Sequence, residues 1–260
     1  MKKNKIDFLI EKLNSNGYFV IKNFINKKLI ESLLMDLSLL FAKETKDLTL
    51  DLNWSNRPIN QIALQLRKLN PEVFSKIYNS IKNNPKLLNL VNHKKIINLA
   101  AKILKTKKHF LWNGEFMLRM DAPKDKRNIL GWHQEAHYYK RQTTDGSNGI
   151  VMWIALGNKI NKKMGALQAC PGSHKCGLIN IKKVKQLRTN KIDKKFKSTT
   201  YMADTKFIKG YKFKTIETVR GDLIVMDLRT FHRSGNNNSN LFRLSTVSRI
   251  FNINSKSWPI

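Results

Sequence analysis

Residues 221–250 read GDLIVMDLRTFHRSGNNNSNLFRLSTVSRI, and the class of the fold turns on them. An apolar run rich in β-formers ends at Asp227 and Leu228, and His232 follows in the next turn. Gly235 and three asparagines then open a loop, and Arg243 stands on a second strand-like run. Segments of the same kind recur upstream as 110-FLWNGEFMLRM-120, 150-IVMWIAL-156 and 166-ALQAC-170, with Gly, Asn, Pro and Asp between them. Several short strands with turn signals point to an all-β barrel or sandwich, of which the jelly roll is one solution. Earlier residues differ. Residues 4–46 have helical spacing interrupted by 18-YFVIKNF-24, and 59–106 form a second helical region divided at Pro71 and Pro85. The expectation is a mainly β protein with flanking helices, one domain over 1–260, mostly helical over 1–107 and β over 108–255.

A hydrophobic fraction of 41% and a charged fraction of 26% are those of an ordinary globular chain. No run approaches the roughly 20 apolar residues of a membrane span. The opening MKKNKIDFLIEKLNSNGYFV has no continuous apolar core and no small-residue cleavage site, so it reads as a cytoplasmic protein. The net charge of +31 favours anionic substrates. The lysines are spread from Lys2 to Lys256 with no nucleic-acid-binding signature, so no specific nucleic-acid partner is expected. The run 181-IKKVKQLRTNKIDKKFKS-198 reads as a solvated loop, with a mobile lid or an acidic-substrate patch as the functional alternative. Cys170, His174 and Cys176 imitate a zinc cluster, but three ligands in a Pro-Gly-Ser turn read as incidental thiols.

The chemistry concentrates in 131-GWHQEAHYY-139. If this is a strand, His133, Glu135 and His137 share one face and suit a divalent transition metal. A further ligand would come from a late strand of the same barrel, where His232 is offered. A His-x-carboxylate pair with one distant His is the facial triad of non-haem iron, which leaves three coordination positions open. A guanidinium such as Arg243 can hold a dicarboxylic acid through two parallel hydrogen bonds. Two other readings stay open. A cupin-like enzyme would use His133, Glu135 and His137 alone, and a binding module would keep the fold without catalysis.

Four features in order resemble the phytanoyl-CoA dioxygenase family of iron(II)- and 2-oxoglutarate-dependent oxygenases. They are NGYFVIKNFINKKLIESL at 16–33, WHQE at 132–135, GALQACPGSHKCG at 165–177 and GDLIVMDLRTFHRSGNNNSNLFR at 221–243. The resemblance implies a double-stranded β-helix core, a cupin-like jelly roll with N-terminal helices. It implies His133, Glu135 and His232 as ligands of Fe(2+), with 2-oxoglutarate as co-substrate and O2 as oxidant. Arg243 matches the residue that binds the distal carboxylate of 2-oxoglutarate, and Ser234 a position that can donate a hydroxyl to it. Trp153 matches an aromatic that borders the co-substrate, and a plain core aromatic is the equal alternative. Gln134 and Tyr139 are nominated as substrate contacts, on condition that 131–139 is a strand. The implied reaction hydroxylates a small anionic or carrier-linked metabolite and releases succinate and CO2. There is one departure: the family usually has Asp where this chain has Glu135. Retention of a carboxylate argues for hydroxylation, because related halogenases lack it.

Overall fold

The computed structural model describes residues 3–45, 57–125, 129–186 and 198–259. Helix α1 (Lys3–Asn16) buries Ile6, Leu9 and Leu13 at helical spacing. It stops at Gly17, whose φ of +78° suits a residue without a Cβ and whose N–H returns to the Leu13 carbonyl at 2.8 Å. Strand β1 (Tyr18–Ile21) follows, then α2 (Lys27–Thr45), which buries Ile30, Leu33, Leu37 and Phe41. The second helical region is four helices: α3 (Arg57–Leu69), α4 (Pro71–Ser80), α5 (Pro85–Val91) and α6 (Lys94–Ile103). Pro71 and Pro85 each open a helix, where a missing N–H costs nothing. The side chains of Asn70 and Asn84 cap the free N–H groups behind them.

The strands beyond are β2 (Leu111–Asp121), β3 (Gly149–Ala155), β4 (Lys159–Ile160), β5 (Leu167–Ala169), β6 (Ile181–Gln186) and β7 (Ser198–Ala203). After the short α7 (Thr205–Ile208) come β8 (Lys214–Ile216), β9 (Thr218–Val219), β10 (Leu223–Asp227), β11 (His232–Ser234) and β12 (Arg243–Asn252). The five apolar segments read as strands are β2, β3, β5, β10 and β12. The larger antiparallel sheet runs β1-β10-β3-β12-β2 and the smaller β11-β5-β8. A bridge from His133 to His232 extends the smaller sheet by one position. The N-terminal part therefore does more than cover the core, since β1 supplies the larger sheet's edge strand beside β10.

Alternation along the strands sorts residues between two faces. Ile150, Met152, Leu223, Val225 and Leu244 pack on the helices. Val151, Trp153, Ile224, Met226 and Val247 face the smaller sheet, where they meet Leu167, Ala169 and Ile216. Two facing antiparallel sheets with one outer face covered by helices make the jelly roll with flanking helices.

The basic run 181–198 departs from its reading as a loop. Its described ends belong to β6 and β7, which pair with each other, and residues 187–197 lie outside the described residues. Thr199, Thr200 and Tyr201 supply β-formers as partners, while Lys182, Lys183 and Lys185 remain exposed. Among the described residues no helix is long and apolar enough to cross a membrane.

Candidate metal centre

The expected strand at 131–139 is not formed. Only His133 pairs, exchanging hydrogen bonds of 3.1 Å with His232, and the chain then turns into a 3-10 helix over Glu135–Tyr138. The pairing sets the two imidazoles side by side, with ring centroids 4.2 Å apart. The turn brings Glu135 Oε2 to 3.4 Å from His133 Nε2 and 3.4 Å from His232 Nε2. It carries His137 away, where its Nε2 lies 3.2 Å from Gln134 Oε1. The one-strand cluster of His133, Glu135 and His137 is thus replaced by a cluster built from two segments. Among the described residues, His133, Glu135 and His232 are the one group placed to hold a metal ion.

The protonation pattern follows from the backbone. His133 Nδ1 is 2.8 Å from the Gly131 carbonyl, and His232 Nδ1 is 3.0 Å from the Thr230 carbonyl. A carbonyl only accepts, so each Nδ1 carries the proton and each Nε2 presents a lone pair. Both Nε2 atoms are buried without a hydrogen-bond partner among the described residues. Burial, and then His232 beside it, lower the His133 pKa. Two lone pairs and a carboxylate oxygen therefore converge with no proton between them. That arrangement repels itself in a dry site unless a cation sits at its centre.

Glu135 is held from behind. Arg249 Nε donates to its Oε1 at 2.8 Å. Burial alone would raise the Glu135 pKa, but the Arg249 charge beside it holds it well below the usual carboxylate range. Arg249 is itself buried, stacked 5.6 Å over the Tyr139 ring and opposite Glu115 in the β2–β12 register. The Tyr139 hydroxyl donates to Glu115 Oε2 at 2.5 Å. This chain accommodates the extra methylene of Glu135 by pinning its second oxygen, which leaves Oε2 toward the histidines.

A second charged cluster lies further along the same inner face of β12. Arg243 Nε donates to Asp121 Oδ2 at 2.9 Å, and its Nη2 donates to Ser234 Oγ at 3.1 Å as well as to Asp121. Its Nη1 reaches the Gly165 carbonyl. Asp121 is shared with Arg119, whose Nη2 donates to Oδ1 at 3.0 Å and whose guanidinium stacks 5.4 Å over Trp153. Burial and the Arg119 charge lower the Arg243 pKa, with Asp121 opposing them. Trp153, Leu167, Ile224, Arg243 and Ser245 line a cavity of about 20 Å³, room for roughly one water. Trp153 Nε1 and Ser245 Oγ are buried without hydrogen-bond partners among the described residues. Donors without acceptors beside a guanidinium fit a carboxylate.

The remaining nominations divide. Tyr139 stands inside the barrel behind Glu135. Gln134 does not contact the centre: its amide nitrogen donates to Gly177 and Arg229 carbonyls at 2.6 and 2.7 Å, and its oxygen accepts from the Ile179 N–H at 3.0 Å. With His137 it has no capacity left for a substrate, because the 3-10 turn points it at the chain that follows β5. His174 places Nε2 3.0 Å from the Asn14 carbonyl, tying its turn to α1. Cys170 and Cys176 are free, and burial pushes the Cys170 thiol up to about 11. Sequence reasoning missed Arg119, Asp121, Glu115 and Arg249. Their signal was present: charges at alternate positions of apolar strands share the inner face.

A cleft of about 490 Å³ is walled by Glu115, His137, Tyr138, Tyr139, Lys140 and Tyr201, and none of the three candidate ligands lines it. Tyr138 sets its ring edge-on to His133 at 5.8 Å and accepts from the Tyr201 N–H at 3.0 Å. The β6–β7 hairpin thereby hems the centre in.

The family described as phytanoyl-CoA dioxygenase (PhyH) matches residues 13–245. No curated protein matches the chain by sequence. Solved structures that share its fold include the following three. The epimerase SnoN, in complex with Fe3+, alpha ketoglutarate and nogalamycin RO, is 15% identical with a TM-score of 0.63, over 99% of this chain and 88% of its own. AviO1 from Streptomyces viridochromogenes Tue57 is 17% identical with a TM-score of 0.61, over 100% of both chains. EctD from S. alaskensis, with 2-oxoglutarate and 5-hydroxyectoine, is 14% identical with a TM-score of 0.60, over 100% of this chain and 80% of its own.

Proposed function

Because the chain belongs to the phytanoyl-CoA dioxygenase family, we propose that it is an iron(II)- and 2-oxoglutarate-dependent oxygenase that hydroxylates a small anionic or carrier-linked metabolite, releasing succinate and CO2. The observation that carries this reading is the convergence of His133 Nε2, His232 Nε2 and Glu135 Oε2 with no proton to share. Those three residues would hold the iron on one face. EctD and SnoN, which share the fold, are crystallised with 2-oxoglutarate or alpha ketoglutarate, and SnoN also with Fe3+.

When bound, iron with 2-oxoglutarate supplies the oxidation of a C–H bond by O2. The protein does the rest. The backbone carbonyls of Gly131 and Thr230 orient the imidazoles and keep their Nε2 atoms deprotonated. Arg249 keeps Glu135 ionised and directed. Arg243, Ser234 and the unpartnered donors of Trp153 and Ser245 receive the distal carboxylate of 2-oxoglutarate. Asp121 holds the Arg243 guanidinium in place. The 490 Å³ cleft, which Tyr138 links to His133, would take the substrate, and Tyr138 and Tyr201 would shield that side of His133 from water. We treat 1–260 as one catalytic domain, since a single apolar cluster runs from Leu9 to Ile250.

The test is to incubate protein, iron(II), 2-oxoglutarate and 18O2 with an anionic metabolite pool, and to measure succinate together with label in the products. Succinate formation coupled to a product carrying one 18O is expected. Coupled succinate with no label in any product other than succinate itself would replace hydroxylation by an oxidation without oxygen insertion or an epimerisation. No succinate above a His232→Ala control would move the non-catalytic binding module to the front.

A further inference from the structure

A deep cleft opens on the outside of the helical layer, between α1, the turn after β1 and α6, with a volume of about 870 Å³. Among the described residues fourteen line it, of which six are lysines, Lys5, Lys22, Lys95, Lys102, Lys107 and Lys108, and none is Asp or Glu. Over the whole chain Lys and Arg together make up only 49 of 260 residues, so the cleft is enriched beyond the general basic character. Lys22 pairs with the buried Asp222 at 2.8 Å while its side chain stays 62% exposed, and Lys95 Nζ lies 3.4 Å from the Phe24 carbonyl. Lys5, Lys102, Lys107 and Lys108 form no ion pair among the described residues. Six ammonium groups around one cleft with no carboxylate among its lining residues set up a positive potential that attracts an anion. The floor is apolar, made by Ile21, Phe24 and Leu99, and Asn23 and Asn98 add uncharged polar groups.

Ile21, Phe24 and Leu99 belong to the core on the helix side of the larger sheet, whereas Trp153, Val247 and Tyr139 around the metal centre belong to the core on its other side. The sheet therefore lies between this cleft and the proposed iron. We propose that the cleft is a second ligand site, for a phosphate-bearing small molecule of about nucleotide size that serves as anchor or regulator rather than substrate. The volume lies in the range of roughly 300–1,000 Å³ typical of small-molecule sites. Ammonium groups on flexible stems suit several phosphate charges, and the apolar floor suits an attached organic group.

The test is calorimetric titration of the full chain with ATP and, separately, inorganic tripolyphosphate at about 0.15 M salt, where weak surface attraction is screened. Three proteins are compared: wild type, Lys102→Glu/Lys107→Glu in the cleft, and Lys82→Glu/Lys209→Glu elsewhere on the surface as a charge-matched control. The proposal expects saturable one-to-one binding of ATP, weakened at least tenfold by the cleft pair and unchanged by the control pair. Tripolyphosphate binding as tightly as ATP through the same lysines would support the phosphate site and remove the role of the apolar floor. Equal weakening by both pairs would overturn it in favour of diffuse charge. Saturation by an oligonucleotide or an acidic polypeptide, with neither ATP nor tripolyphosphate binding, would overturn it in favour of a macromolecular partner. Absence of any saturable binding would overturn it outright. Iron(II) affinity measured in the cleft pair should match wild type, which shows that the variant is folded and keeps this outcome separate from the oxygenase assignment.

Discussion

Arg249 turns a substitution in the ligand set into a stable arrangement. Its Nε fixes Glu135 Oε1, and the pair is almost wholly buried, with side chains 6% and 4% exposed. Removing one partner of a buried pair leaves the other charge unpaired, at a cost of about 3–5 kcal/mol. Arg249→Ala should lower apoprotein stability by about that amount in urea unfolding and weaken iron(II) binding by at least tenfold. Arg249→Lys should restore part of both, and an unchanged iron(II) affinity in Arg249→Ala would refute its positioning role. The pH dependence follows from the same residues. His133 is held below its ordinary value of 6.5 and Glu135 well below 4.5, so the folded state binds fewer protons than the unfolded chain. Stability gained from these depressed values is present above the unfolded pKa and is lost as pH falls. Apoprotein unfolding midpoints should be flat from about pH 8 to 7 and decline below 6.5, with a shallower decline in His133→Ala.

At the scale of elements, the seam between β5 and β11 depends on one glycine. Gly165 has φ +76°, and a Cβ there would lie 2.5 Å from the Gly235 carbonyl. Its own carbonyl accepts from Arg243. Gly165→Ala should cost about 1–3 kcal/mol, read as a fall in Tm of roughly 2–4 °C per kcal/mol. Gly210→Ala, where no atom lies within 4 Å of the added Cβ, should leave Tm unchanged. The strands themselves were legible, because β2, β3, β10 and β12 are long, apolar and punctuated by turn residues. The 131–139 segment was not. Alternating histidines look like a strand face, but the pairing edge ends after His133 and a 3-10 turn delivers Glu135 instead. The hairpin of β6 and β7 was hidden by lysines that stand in solvent while the backbone pairs.

Across the whole molecule, the larger sheet divides two environments. Helices bury one face, and the smaller sheet closes the other around a row of charges that runs from Asp121 and Arg243 to Arg249 and Glu115. Ordered motifs made His133, Glu135, His232 and Arg243 readable from the chain. Arg119, Asp121, Glu115 and Arg249 were not read, since a charge in a strand suggests solvent until the partner strand is known. The interior row links the metal centre to the co-substrate position, so one titration interrogates both. The measurement is an anaerobic addition of iron(II) and then 2-oxoglutarate to the apoprotein, following the weak visible charge-transfer band of a chelated keto acid. The band should appear in wild type and in His137→Ala, vanish in His232→Ala, and need at least tenfold more 2-oxoglutarate in Arg243→Met. No band in wild type, with iron(II) binding also absent by calorimetry, would contradict the assignment of His133, Glu135 and His232 as an iron site.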